Sequence, residues 1–197
     1  LAKKLGTLQW ILIGVGAALG YAGWRFHLPA VIGIGVALAG LGVTAGGVED
    51  MLNREVSLSI QDEGGRYRTY SGASALLMGA MWVLIGLAML VGGLAYAAGL
   101  GAWLWGNIQA HPGPALVLAG LAMMAYGGVE ALGAREERLS ASPLAFLGSL
   151  PARIFGVVLI VAGLLVLMGG GLELIAPQAF DALLAYLKEA LLPRLPE

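Results

Sequence analysis

The residues best placed to do chemistry occur in two copies of one junction. GGVEDMLNRE (46–55) and GGVEALGARE (127–136) each close a long apolar run with an acid, followed five residues on by an Arg-Glu pair. Glu49 and Glu130 are therefore candidates for a pseudo-symmetric carboxylate pair. Two carboxylates facing one axis could hold a cation or pass a proton at a pore mouth, because ionisable groups near a membrane interior are functional suspects. The plainer reading is anchoring. The acid marks the headgroup boundary, and Arg54 or Arg135 snorkels to water or pairs with an acid, in the limit as a clasp to the other copy's acid. Anchoring is favoured, because charged groups near helix ends reach water at modest cost.

His27 and His111 are also equivalent: each stands just before a proline, Pro29 or Pro114. Two histidines could bind a metal or sense pH. Two ligands make a weak metal site, however, and the sequence sets no carboxylate beside either one. A polar turn residue is the better expectation for both. Glu173, at the end of the last apolar run, reads as a boundary marker.

Other chemistries lack their residues. Cysteine is absent, which removes thiolate metal sites, iron–sulfur clusters, disulfides and a cysteine nucleophile. No His or Asp falls inside an apolar run, which argues against bis-His haem and an intramembrane aspartyl protease. There is no phosphate-binding loop and no zinc-binding helix motif. No Ser–His pair shares a depth. No cofactor, no enzyme activity and no nucleic-acid partner are expected, the last because net charge is −1.

The elements that position these residues follow from solvent. Apolar residues make up 59% of the chain and charged ones 12%. The charges are clustered: Leu5–Trp24, Leu28–Val48, Thr69–Val129 and Ile154–Leu172 carry none. A bilayer core takes about 20 apolar residues per helix. The chain is expected to be an all-α integral membrane protein with five spans, near 5–24, 28–48, 72–98, 114–130 and 154–175. Lys3 and Lys4 ahead of an apolar run also suit a cleaved leader, but that run resembles later spans and is expected to be the first of them.

The remaining segments have characters of their own. VSLSIQ (56–61) alternates apolar and polar residues before DEGG, which predicts a short cytoplasmic β-hairpin within 56–71. A lone hairpin is barely stable in water, so the membrane surface, a neighbouring subunit or a partner is expected to hold it. Residues 99–110, with Trp103 and Trp105, are too apolar for an ordinary loop and too short for a span. They are expected to be interfacial or re-entrant. A cytoplasmic loop is expected at 137–153. Phe180, Leu183, Leu184, Leu187 and Leu191 share one face of an amphipathic surface helix at 177–192, resting on the membrane or on the protein's own helices.

Lys3, Lys4, Arg54, Arg66, Arg68, Arg135, Arg138 and Arg153 fall on one side, and Arg25, Lys188 and Arg194 on the other. This bias predicts an N-terminus inside and a C-terminus outside, in a bacterial cytoplasmic membrane.

The chain repeats. LAGL precedes both GGVE junctions, so spans two and four are counterparts. Gly72, Gly79, Gly86 and Gly93 recur every seven residues, as do Gly156, Gly163 and Gly170, so spans three and five are counterparts. This predicts a two-helix hairpin written twice in parallel orientation, with one extra span. By segment, residues 1–55 and 72–136 each contain one transmembrane hairpin. A seven-residue period places the glycines on one helix stripe, and Gly16–Gly20 and Gly42–Gly46 add GxxxG pairs. Small residues let helix backbones meet in lipid, where no hydrophobic drive brings helices together. The expected function is a helix-packing module, as a homo-oligomer or an accessory subunit. Its partners would be the lipid bilayer and itself or another membrane protein. The alternative is a small channel or transporter with Glu49 and Glu130 at its cytoplasmic mouth.

Overall fold

In the computed structural model of the chain, the residues described are 2–61, 67–133 and 143–191. The elements in chain order are α1 (Ala2–Arg25), α2 (Pro29–Asn53), β1 (Glu55–Gln61), β2 (Tyr67–Ser71), α3 (Ala73–Ala97), α4 (Gly101–Ala110), α5 (Gly113–Leu132), α6 (Pro143–Ile175) and α7 (Pro177–Leu191). Among the described residues, five helices are long and apolar enough to cross a membrane: Leu5–Arg25, Pro29–Asn53, Ala73–Ala97, Gly113–Leu132 and Leu150–Ile175. The chain is an integral membrane protein. Helix is what such runs must form, because hydrocarbon offers the backbone no other hydrogen-bond partner.

The five long helices pack in a row, α1 on α2, α2 on α3, α3 on α5, and α5 on α6, with α3–α5 the slimmest contact. Three of these seams are made of glycine. Between α2 and α3, a Cβ at Gly40 would lie 2.6 Å from the Gly86 carbonyl oxygen, one at Gly47 2.5 Å from that of Gly79, and one at Gly33 2.6 Å from that of Gly93. Between α5 and α6, Gly113, Gly120 and Gly127 meet the carbonyls of Gly170, Gly163 and Gly156 at 2.9, 2.7 and 2.6 Å by the same measure. Between α1 and α2, Gly16 meets the Gly35 carbonyl at 2.5 Å and Gly42 that of Gln9 at 2.8 Å, while Gly46 lies against the Gln9 side chain. A Cβ at Gly35 would lie 2.5 Å from the backbone nitrogen of Gly20, but a Cβ at Gly20 itself would meet open space. No larger residue fits at a backbone-to-backbone approach this short.

Gly72 departs from its expected place on the third span's stripe. It lies outside α3 with φ +64, and nothing stands within 4 Å of where its Cβ would be. Its role is conformational: it makes the strand-to-helix corner, and its N–H donates to the Arg54 carbonyl at 2.9 Å.

The β-hairpin is antiparallel, with Glu55 opposite Ser71 and Val56 opposite Tyr70, and an irregularity between Leu58 and Gln61. It was expected to need an outside support, yet its base docks on the protein's own helices. Val56 and Tyr70 are buried with Ala75, Met78 and Met81 of α3 and Ala125 and Val129 of α5. The Ser74 hydroxyl donates to the Gly133 carbonyl at 3.4 Å across the same junction. Burial of the two hydrophobic side chains supplies what the isolated hairpin lacks.

Two segments differ from expectation in extent or character. The loop expected at 137–153 is helical from Pro143, and Pro151 lies inside α6. An internal proline removes one backbone bond, yet the helix continues on both sides of it. Residues 101–110 form a short helix, α4, with no buried residue. At 1.5 Å per residue, it reaches only about half of a bilayer core. Gly99, at φ +76, lets the chain turn from α3 into α4.

Candidate functional site

The ionisable residues sort to the two ends of the helix row. At one end stand Glu49 and Glu130, the acids of the repeated junction. Glu49, near the end of α2, is half-buried, and its carboxylate lies over α1: a Cβ at Gly6 would be 2.9 Å from its Oε2. Glu130, also half-buried, is in the last turn of α5. Its backbone faces α6, with the position of a Gly156 Cβ 3.0 Å from the Glu130 carbonyl carbon. Helix α3 packs between α2 and α5. Glu49 thus stands in the α1–α2 contact, and the Glu130 backbone in the α5–α6 contact. Arg54 is exposed and forms the left-handed corner after α2, with φ 52. Arg135 lies outside the described residues.

The two histidines have unlike surroundings. His27 ends α1 in the left-handed region, φ 56. The Leu28 N–H reaches back to the Gly23 carbonyl at 2.8 Å, and the His27 N–H to that of Trp24 at 3.3 Å. These two bonds are the Schellman termination of a helix. Histidine is one of the few non-glycine residues often found in that conformation. His27 is thus a turn residue.

His111 is different. Its Nδ1 lies 3.4 Å from Oε1 of Glu173, whose side chain is only 6% exposed while that of His111 is 65% exposed. The other oxygen, Oε2, accepts the N–H of Gly113 at 3.1 Å. The expectation that no carboxylate stands beside either histidine is therefore overturned for His111. The geometry follows from the α5–α6 seam. Gly113 faces Gly170, and residue 173 lies one turn further along α6, over the start of α5. There the carboxylate satisfies a helix N–H that has no partner within its own helix. It also places negative charge at the positive end of the α5 dipole.

No family model matches the chain, no curated protein matches it, and no solved structure matches its fold. The functional reading therefore rests on these residues alone.

The Glu173 cluster caps the start of α5. The carboxylate is occupied by one backbone N–H and one imidazole. Among the described residues, no group of three or more His, Asp or Glu side chains is placed to hold a metal ion. Glu173 was the residue least legible in the sequence, because its partners are far away in the chain. The signal that finds it is the antiparallel glycine register: pairing Gly120 with Gly163 and Gly113 with Gly170 brings Glu173 opposite the His111–Gly113 turn. The buried polar or charged side chains among the described residues are Ser74 and Glu173, and both bond within the chain. Thr44, mid-way along α2, donates its hydroxyl to the Gly40 carbonyl at 2.9 Å.

Proposed function

We propose that this protein is a non-enzymatic helix-packing module of the membrane, acting as a homo-oligomer or as an accessory subunit of a larger membrane complex. The observation that carries this reading is how the chain uses its interior. Close approach is spent on glycine seams, and the buried polar groups serve helix ends and a hairpin dock. The two outer helices of the row still present apolar faces, through Trp10, Ile11 and Val15 on α1 and Val157, Val161 and Leu165 on α6. Lipid covers such faces, and so do further helices.

In this reading, α2–α3 and α5–α6 are two copies of one glycine-sealed unit, related by an axis along the membrane normal, and α1 is the additional span. The Lys/Arg bias puts the β-hairpin and the GGVE junctions in the cytoplasm, and α4, His111 and α7 on the outer side of a bacterial cytoplasmic membrane. Glu49 and Glu130 are boundary anchors.

The competing reading, a small channel or transporter, draws on the repeated acid. It is weakened by the scarcity of polar groups at mid-depth, where transporters bind substrates. The double substitution Glu49→Gln with Glu130→Gln separates the two. Reconstituted into liposomes, both wild type and variant should pass protons and monovalent cations no faster than empty vesicles. A flux in wild type that disappears in a still-folded variant would establish the channel and remove the packing-module reading.

A further inference from the structure

The α3–α5 seam is built unlike the other three. Near the hairpin it is closed by Met78, Met81, Ala125 and Val129. Towards α4 it opens into a groove of about 420 Å³. Its walls are Leu84, Leu87 and Val91 of α3 and Leu118 of α5, and Leu104 and Ile108 of α4 lie across its end. No polar side chain is among the residues that line it.

We propose that this groove is a binding site for one acyl chain of a bilayer lipid. Three observations choose the occupant. The first is depth. The stretch from Leu84 to Val91 spans about 10 Å of helix, while one leaflet of hydrocarbon is about 15 Å deep. The groove wall is thus about two thirds of one leaflet's depth, enough for part of one acyl chain and far short of a transmembrane helix. A second transmembrane helix would need the full depth, and the buried cluster that includes Met81 and Ala125 closes the seam before that. The second is chemistry. An apolar cavity gives water no hydrogen-bond partners and stays dry, so hydrocarbon is what fills a groove open to the bilayer. The volume lies within the roughly 300–1,000 Å³ usual for small-molecule sites. The third is the roof. Trp103 and Trp105 are both exposed on α4, and indole rings sit at headgroup level. They set α4, whose Leu104 and Ile108 lie across the groove's end, at the level where a lipid's headgroup meets its chain.

The test is lipid retention. The full chain is reconstituted into vesicles of palmitoyl-oleoyl phosphatidylethanolamine and phosphatidylglycerol, extracted in mild detergent and washed, and bound phospholipid is measured per chain. Wild type should retain one phospholipid. Ala88→Trp and Ala115→Trp, which fill the groove, should lose it. Gly92→Leu is a milder filler: a Cβ at Gly92 meets open space, so the fold should survive, and it too should lose the lipid. Gly171→Leu, at another open position, should retain it. Wild type without bound lipid, or retention in Gly92→Leu equal to wild type, would overturn the proposal. The chain has no cysteine, so Ala88→Cys reports directly on a protein occupant. It should stay monomeric on oxidation in membranes, and a disulfide-linked dimer would assign the groove to a second copy instead.

Discussion

Two kinds of seam hold this row of helices together. In α2–α3 and α5–α6, glycines at seven-residue intervals face glycines on the neighbour, and backbone meets backbone along the whole contact. In α3–α5, larger side chains meet at one end and the helices part at the other. The glycine seams tolerate no added atom. The α3–α5 seam tolerates a cavity. The molecule is accordingly two glycine-sealed pairs, with α1 sealed to the first, joined along a narrower contact.

The largest effect should come from a side chain placed inside a glycine seam. Gly40→Leu or Gly120→Leu forces apart helices whose backbones lie within 2.7 Å of the new Cβ. Overpacking of this kind costs about 3 kcal/mol or more when backbone must move. Gly14→Leu, where nothing stands within 4 Å, is the matched control and should unfold as wild type does. Thermal unfolding in detergent or resistance to SDS checks both. Equal loss in seam and control variants would mean that the seams are not what holds the pairs.

Next in size is the cap on the second pair. Glu173→Ala leaves the Gly113 N–H without its acceptor and removes the partner of His111, at a cost of roughly 2 kcal/mol for a charge-assisted bond at a buried site. Glu173→Gln keeps an acceptor for the N–H and should lose less. The same unfolding measurement ranks the three proteins, and Gln falling below Ala would contradict the cap.

The α3–α5 seam should respond more locally. Tyr70→Ala empties a buried position beneath the hairpin, and removing a buried aromatic costs about 3 kcal/mol when the whole fold depends on it. Here the hairpin should loosen while both glycine pairs persist. Hydrogen exchange should rise across residues 55–61 and 67–71 and stay unchanged along α2 and α6. Global unfolding in step with the hairpin would make the molecule one cooperative unit and erase the contrast between seams.

The smallest effect should fall on the repeated acids. Glu49→Gln and Glu130→Gln alter half-buried carboxylates near helix ends, where ionic contacts contribute about 1 kcal/mol or less. Neither should approach the Glu173→Ala loss in the same melts.

These contrasts were unequally legible in the sequence. The five spans were plain, because uncharged runs of that length have one physical solution in a bilayer. The heptad glycines were visible as a pattern, but a stripe does not say which neighbour it faces. That depends on the row order, which no local signal encodes. The N-terminal extension of α6 was hidden by Pro151, an ordinary helix stop, and by Arg153, a charge that marks the end of an apolar run. The hairpin was readable from its alternation, but its dock was not, since Val56, Tyr70 and Val129 come from three separate segments. The Glu173 cluster was least readable of all. The sequence drew attention to the acid written twice, while the buried carboxylate was the one written once, and only the antiparallel register brings it to His111 and Gly113.

The proposed function requires that this chain assemble with other membrane chains. The most direct measurement is the mass of the particle released from its own membrane in lipid nanodiscs, without detergent. A particle holding more than one 20.2 kDa chain, or this chain together with a larger membrane protein, is the predicted result. A particle holding this single chain and no other protein would contradict the account.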